Sequence, residues 1–469
     1  MHLPAVTLAV LRGREDLSFG YMYLSAVLRA AGGRVRLVEA ESADDFVRRF
    51  AADPTPVVGI GITTGLHRVY LSWVRKLRTM RAVHVVLGGP HATYFPQVVH
   101  EPGVDAVCIG EGEESFPEYL AALGQAEGAV PRAVAGFQHW YRGELLDGGP
   151  RAPVQRLDLL PGPDWSLFFE HNPRLARHPV KSFLASRGCP HRCTYCFNRT
   201  WNAMYRGSSR TVRFRDPTQV VEEIDAVRRR WGMRLVWFLD SNFAVSQRWL
   251  EALLPLYRQR IGLPFFCKVR PGVATDRLID ALVQAGCTAV GIGIESGDPE
   301  LRRTLDRSMD NADIVRTCRA FRRRGVRVMS FNMVGIPGET YAAARRTLEL
   351  NVESGVDYAM TTFLQPFPGT ELARRAREQG LFHGDFDALD CSYFQPSPLD
   401  FGADPLDRRR IINLQRLLAL AVSFPLVRAQ IDRLVTLPEN GLYLELFKTY
   451  NYHAFHRQFY RAYTLQPRG

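Results

Sequence analysis

No run of roughly 18 or more apolar residues occurs in the chain, which excludes a membrane-spanning helix as the reading of any segment. Met1 to Leu11 lacks a basic region followed by a long apolar stretch and a small-residue cleavage site. No secretory signal is therefore read, and the cytoplasm is the expected compartment. Cysteine is scarce: eight in 469 residues are too few for a disulfide scaffold. Cys108, Cys267, Cys287, Cys318 and Cys391 are scattered, but three others crowd into positions 189–196. A cluster plus loners points to a metal site in a reducing environment. Short internal repeats and low-complexity tracts are absent, which excludes a solenoid. Acidic residues are outnumbered 48 to 60 by Lys and Arg, a formal charge of +12 that would suit anionic partners. The arginines, however, stand in runs such as Arg228-Arg229-Arg230 and Arg322-Arg323-Arg324 on predicted helices. They read as solvated helix faces, and no nucleic-acid partner is expected.

At roughly 100–200 residues per domain, the length predicts two or three domains. Residues 1–145 alternate apolar strands (Val6–Leu11, Val35–Val38, Pro56–Ile62, Val83–Leu87, Ala106–Ile109) with amphipathic helices (Gly20–Ala31, Val69–Met80, Ser115–Leu123). Fully apolar strands alternating with helices predict a doubly wound parallel sheet of Rossmann or flavodoxin type, covered on both faces. Residues 146–178 are proline-rich and read as a linker. Residues 179–380 repeat the strand–helix unit six times, with strands Lys181–Ser186, Leu235–Leu239, Phe265–Val269, Ala289–Ile294, Arg327–Val334 and Ala359–Gln365. This predicts a partial (β/α)6 barrel with its chemistry at the carboxyl ends of the strands. Residues 381–469 form a smaller, mainly helical C-terminal region ending in an aromatic tail, expected to pack onto the barrel.

Cys189, Cys193 and Cys196 have the spacing C-x3-C-x2-C directly after the first barrel strand. Thiolates suit iron–sulfur clusters, and three of them hold three corners of a four-iron cluster, leaving one iron for another ligand. The competing reading is a zinc site completed by His191 or a remote cysteine. The spacing resembles the radical S-adenosylmethionine (SAM) superfamily, over residues 181–372. The resemblance implies a [4Fe–4S] cluster whose open iron is chelated by SAM, which is cleaved to methionine and a 5′-deoxyadenosyl radical. It also implies a flavodoxin- or ferredoxin-type electron donor.

Four further segments match that family. Tyr195 occupies the aromatic position where backbone meets the adenine. Asp240, in Asp240-Ser241-Asn242-Phe243, corresponds to the segment that binds the SAM amino group, although Ser241 replaces a second acid; its plainer reading is a helix cap. Glu295 at the end of the fourth strand is placed to accept ribose hydroxyls, or to cap the next helix. Gly335, Ile336 and Gly338, in Gly335-Ile336-Pro337-Gly338-Glu339, resemble the adenine-stacking motif, where glycines let backbone approach a flat ring. Gln365-Pro366-Phe367-Pro368-Gly369-Thr370 closes the sixth strand as in many members.

The first 120 residues resemble the cobalamin-binding branch of these enzymes, through Phe19-Gly20-Tyr21, Gly59-Ile60-Gly61-Ile62, Gly88-Gly89-Pro90-His91 and Gly110-Glu111-Gly112-Glu113. The resemblance places Thr63, Thr64, His67 and Arg68 toward the lower face of the cobalt and Gly88, Gly89 and His91 along the corrinoid. The Asp-x-His-x-x-Gly ligand motif is absent. His67 is either an axial ligand or a surface histidine on a loop. His91 lines the corrinoid or caps a turn. A cobalamin-dependent methyltransferase acting on an unactivated carbon of a small molecule is the leading expectation. A cobalamin-independent amino-sugar dehydratase or cyclase and a non-catalytic corrinoid or cluster sensor are the alternatives. Asp385, Asp387 and Asp390 open a stretch of six aspartates without Lys or Arg before Arg408. It is either a site for a cationic substrate near the barrel mouth or a solvated loop.

Overall fold

The computed structural model describes residues 3–13, 18–80, 82–125, 130–390, 392–401 and 404–455. The chain folds as two compact units. One comprises the residues up to Arg177 with Asn202–Arg210 and Phe386–Cys391; the other comprises His178–Trp201, Thr211–Asp385 and the residues from Ser392 onward. Of residues 146–178, expected as a linker, those up to Arg177 group with the first unit and His178 with the second.

The first unit is built on seven strands: β1 (Val6–Leu11), β2 (Val35–Ala40), β3 (Val57–Gly61), β4 (His84–Gly88), β5 (Ala106–Cys108), β6 (Phe137–Tyr141) and β7 (Glu144–Asp147). Their order is β2-β1-β3-β4-β5-β6-β7. The first five are parallel, as their unbroken apolar sequences require once helices cover both faces. β6 and β7 add an antiparallel hairpin, so the sheet is not wholly parallel. The turn uses Arg142 and Gly143, with φ of 50° and 84°, the left-handed pair that a tight hairpin favours. A helix at Ala43–Ala51, capped by Ser42 accepting from the Asp45 amide, completes the β2–β3 crossover. The order β2-β1-β3 reverses direction at β1/β3, the place where open α/β sheets bind ligands beyond their carboxyl ends.

The second unit contains β8 (Val180–Phe183), β9 (Ser186–Gly188), β10 (Val212–Phe214), β11 (Leu235–Phe238), β12 (Phe265–Val269), β13 (Cys287–Glu295), β14 (Arg327–Val334) and β15 (Tyr358–Phe363). β8 and β11–β15 form a parallel six-stranded sheet in sequential order, a half-barrel, while β9 and β10 pair antiparallel beside it. The expected first strand therefore splits at Leu184 into β8 and β9. Six turns into helices end on a short polar cap. Asp216, Ser246, Thr275, Asp298, Thr340 and Thr370 all accept from amides of the helix they start. Phe266, Ala289, Met329 and Tyr358 share one face of the sheet with Trp237, Phe331 and Met360. Ala419, Tyr450 and Ala454, from helices Pro405–Ser423 and Gly441–Phe455, pack against it. Of the aromatic tail, Tyr443 and Phe447 are buried and Tyr450 packs on this face, whereas Tyr452 is exposed; Phe459 and Tyr460 lie outside the described residues.

Candidate functional site

At the carboxyl edge of the first sheet, Tyr21 ties β1 to β3: its buried hydroxyl donates to the Ala9 carbonyl at 2.8 Å and accepts from the Gly61 amide. A Cβ on Gly61 would press on the Tyr21 hydroxyl at 3.2 Å and its ring at 3.3 Å, which explains a glycine there. Gly89, with φ of 85°, lies against the backbone of Ile62, where a Cβ would approach the carbonyl oxygen to 3.0 Å. The Ile62 amide in turn donates to the Gly88 carbonyl at 2.8 Å, and the His91 amide to the Ile62 carbonyl at 3.0 Å. The ends of β3 and β4 are thereby locked together, and Thr63, Thr64, His67, Gly88, Gly89 and His91 come onto one edge. Arg68 is exposed beside them.

His67 is the first residue of helix His67–Met80 and is 3% exposed, not a surface loop histidine. The Gly65 amide donates to its Nδ1 at 3.2 Å, and its Nε2 meets Asp387 Oδ1 at 2.8 Å. With both ring nitrogens engaged, His67 has none left for an axial bond. His91 stacks on it with centroids 4.2 Å apart and bonds Thr64 Oγ1 through Nδ1 at 2.9 Å. Burial, then the neighbouring His67, lowers the His91 pKa to about 4, so its ring is neutral near pH 7.

Asp387 is part of the first unit and pairs with His67. The hydrogen bond from His67 lowers its pKa. Asp385 and Asp390 are exposed. Farther along the same stretch, Asp404 caps helix Pro405–Ser423 and Asp407 accepts from the Tyr341 amide at 2.9 Å. Two of the six aspartates thus serve helix starts, a role invisible without the helices they cap.

In the second unit the three cysteines line the loop from β9 to helix Phe197–Met204. Gly188 launches that loop at φ of 96°, where a Cβ would overlap the Thr211 carbonyl of β10. Thr194 pins the loop: its amide donates to the Leu305 carbonyl at 3.0 Å, and its carbonyl accepts from the Leu372 amide at 2.9 Å. Cys193 is buried, while Cys189 and Cys196 are partly exposed. Burial raises the Cys189 and Cys196 thiols, and the cysteines add to this by mutual repulsion. Among the described residues no three His, Cys, Asp or Glu side chains surround a single-ion site. The donor set fits a four-iron cluster: three thiols in one pinned loop, close enough to interact, with the Arg270 and Arg307 guanidiniums turned to Cys193.

The neighbouring motifs lie at the carboxyl ends of successive strands. Asp240, 1% exposed after β11, accepts from Ser186 Oγ and from the Ala185 amide at 3.3 Å, fastening the β8–β9 corner that carries the cysteine loop. Burial raises its pKa. Glu295 ends β13 with φ of 65°, a left-handed conformation that a non-glycine residue adopts at a cost of about 1–3 kcal/mol. Its carboxylate accepts from Tyr195 OH at 3.1 Å and pairs with Arg307 at 3.4 Å. Gly335 and Gly338 take φ of 77° and 80°. The buried Glu339 holds that turn, accepting from the Gly335 and Ile336 amides at 2.6 and 3.2 Å. On the inner face of the sheet Gly291 has no room for a side chain: a Cβ there would meet Phe331 at 2.7 Å and Phe266 at 2.9 Å.

Sequence reasoning passes over three residues of this region. Arg270 and Arg307 follow β12 and the short helix Pro299–Thr304, and only the fold turns them to Cys193. Lys268 shares the inner face with Phe266, and burial lowers its pKa. An apolar strand interrupted by one lysine, Phe265-Phe266-Cys267-Lys268-Val269, was the available clue.

Residues 183–350 match the model of the radical SAM superfamily, and residues 12–120 that of the B12 binding domain. An uncharacterized methyltransferase of Pyrococcus horikoshii is 26% identical over 79% of this chain and 81% of its own length. The cytidylyl-2-hydroxyethylphosphonate methyltransferase of Streptomyces wedmorensis is 24% identical over 80% of each chain. Among solved structures, the radical SAM methyltransferase TsrM of Kitasatospora setae, with cobalamin and a [4Fe–4S] cluster bound, superposes with a TM-score of 0.70 at 18% identity, covering 94% of this chain and 92% of its own. The cobalamin-dependent SAM radical enzyme OxsB with aqua-cobalamin bound gives a TM-score of 0.70 at 14% identity, covering 100% of this chain and 74% of its own. These likenesses carry the fold, and together with the two family matches they identify the chain as a B12-binding domain followed by a radical SAM domain.

Proposed function

We propose that the chain is a cobalamin-dependent radical SAM methyltransferase acting on a small molecule. The observation that carries this reading is the C-x3-C-x2-C loop at the head of the half-barrel, in the same chain as a B12-binding domain. Cys189, Cys193 and Cys196 would hold the cluster, and the ends of β3 and β4, with Thr63, Thr64, Gly88, Gly89 and His91, would hold the corrinoid. When bound, the cluster supplies the electron that splits SAM into methionine and a 5′-deoxyadenosyl radical, and the corrinoid supplies a methyl carrier. The chain's own part is positioning. Asp240 and Thr194 fix the cysteine loop to the sheet and to the loop before Asp306. Tyr195, Glu295 and the Gly335–Gly338 turn present polar and backbone groups for the nucleoside. Neutral His91 and the His67–Asp387 pair would line the corrinoid edge, with both His67 ring nitrogens already engaged.

The test is anaerobic purification with hydroxocobalamin supplied, then iron and corrinoid analysis, and incubation with dithionite and SAM labelled on its methyl group. Bound corrinoid, 5′-deoxyadenosine and label in the corrinoid are expected. Replacing all three cysteines by alanine should remove iron and nucleoside release together. An iron-loaded protein that makes 5′-deoxyadenosine but takes up no corrinoid overturns the methyltransferase reading.

A further inference from the structure

We infer that Arg307 and Arg270 set the reduction potential of the cluster by clamping one of its three thiolates, Cys193, with two guanidinium cations. This rests on the reading that the three cysteines hold a [4Fe–4S] cluster. Arg307 Nη1 lies 3.7 Å and Arg270 Nη1 lies 3.8 Å from Cys193 Sγ, within hydrogen-bonding range of sulfur. Cys196, by contrast, accepts from the neutral Asn198 amide at 3.5 Å.

The clamp is built rather than incidental. Arg307 is 8% exposed, and its Nη2 donates to the Gly293 carbonyl at 2.6 Å. Gly293 must lack a side chain for this, because a Cβ there would run into the guanidinium. The loop that carries Arg307 is itself anchored by Arg302, 1% exposed, which donates to the carbonyls of Ser296 and Met309. The Arg307 amide closes onto the Arg302 carbonyl at 3.0 Å. Such anchoring spends a buried cation on a fixed aim at one sulfur. Arginine suits the task because its guanidinium stays charged and its fork can serve two acceptors at once.

Uptake of one electron adds one negative charge to the cluster and its thiolates, with no bond made or broken. A cation held near a ligand sulfur stabilises that added charge, and hydrogen bonds to sulfur act in the same direction. Glu295 opposes the effect: its carboxylate sits 3.4 Å from Arg307 and accepts from Tyr195 OH. The arrangement therefore predicts opposite signs for neighbouring residues, which a purely structural role for Arg307 does not.

The test is a potentiometric titration with dithionite, without SAM, followed by electron paramagnetic resonance of the reduced cluster. The reconstituted holoprotein is compared with Arg307→Gln, Arg307→Lys, Arg270→Gln and Glu295→Gln, with iron per chain measured for each. At a fixed poise, Arg307→Gln and Arg270→Gln should each lower the ratio of reduced to oxidised cluster about tenfold, a midpoint about 59 mV more negative. Arg307→Lys should restore most of the shift, and Glu295→Gln should move the midpoint the other way. Glu295 forms its ion pair with Arg307 and feels Arg270 only as a lesser charge, so Arg270→Gln decides the matter if Arg307→Gln loads poorly. A fully loaded Arg270→Gln protein with the unaltered midpoint overturns the inference alone. Failure of the unaltered protein to bind iron overturns the functional reading and the inference with it.

Discussion

Asp240→Ala separates two roles for a residue that the family resemblance assigns to the SAM amino group. In the fold its carboxylate accepts from Ser186 Oγ and the Ala185 amide, and all three residues are buried. Removing it strands the Ala185 N–H and the Ser186 hydroxyl in the interior, each costing about 1–3 kcal/mol. Part of that is returned because the carboxylate's own desolvation disappears, leaving a net loss of about 2–4 kcal/mol. Asp240→Asn keeps an acceptor for Ala185 and a donor for Ser186 Oγ, and should cost about 1 kcal/mol. Urea unfolding of the intact chain, followed by tryptophan fluorescence, reads this because Trp237 lies on the strand that Asp240 ends. The midpoint should fall in the order unaltered, Asn, Ala at constant slope. Iron per chain after anaerobic reconstitution should fall in the same order without any SAM present, because the cysteine loop hangs from the same corner. An Asp240→Ala protein with unaltered midpoint and full iron, deficient only in calorimetric SAM binding, would refute the structural argument and leave the carboxylate as a ligand alone.

Other consequences follow from single groups. Burial holds the Glu339 carboxyl at about 8 instead of its ordinary 4.5. The folded chain then binds more protons than the unfolded one across that window, so this group makes stability fall as pH rises from about 4.5 to about 8 and adds no slope beyond. Glu339→Gln should flatten that part of the profile, checked by unfolding midpoints at pH 5 and pH 8; parallel profiles would contradict the assignment. His67→Phe should leave corrinoid uptake largely intact, and nitrogen-15 labelling of histidine should not alter the resonance spectrum of bound cobalt(II) corrinoid. Both ring nitrogens are already engaged, and a labelled-histidine coupling would show otherwise. Gly188→Ala, strained at positive φ and overlapping Thr211, should cost about 1–3 kcal/mol and lower iron content, with circular dichroism largely retained. A variant with full iron would show that the corner tolerates a side chain.

Local chemistry was enough to place most elements. Strands such as Phe265–Val269 and Arg327–Val334 have the limits their sequences predict, since apolar runs are read one segment at a time. The three cysteines and the strand-end glycines were legible for the same reason. The β6–β7 hairpin escaped because an alternating stretch at 137–147 was absorbed into a pattern of parallel units, and its turn signal, Arg142-Gly143, is a weak one.

What sequence alone determined is each segment's preference and the chemical type of its ligands: soft thiolates in one loop, glycines where backbone must pass close. What only tertiary structure decided is who meets whom. His67 finds Asp387 320 positions away, and Arg307 reaches Cys193 across 114. Such partners are set by the register of strands and the closure of long loops. Their energies depend on burial, a property of the whole fold that no local window contains.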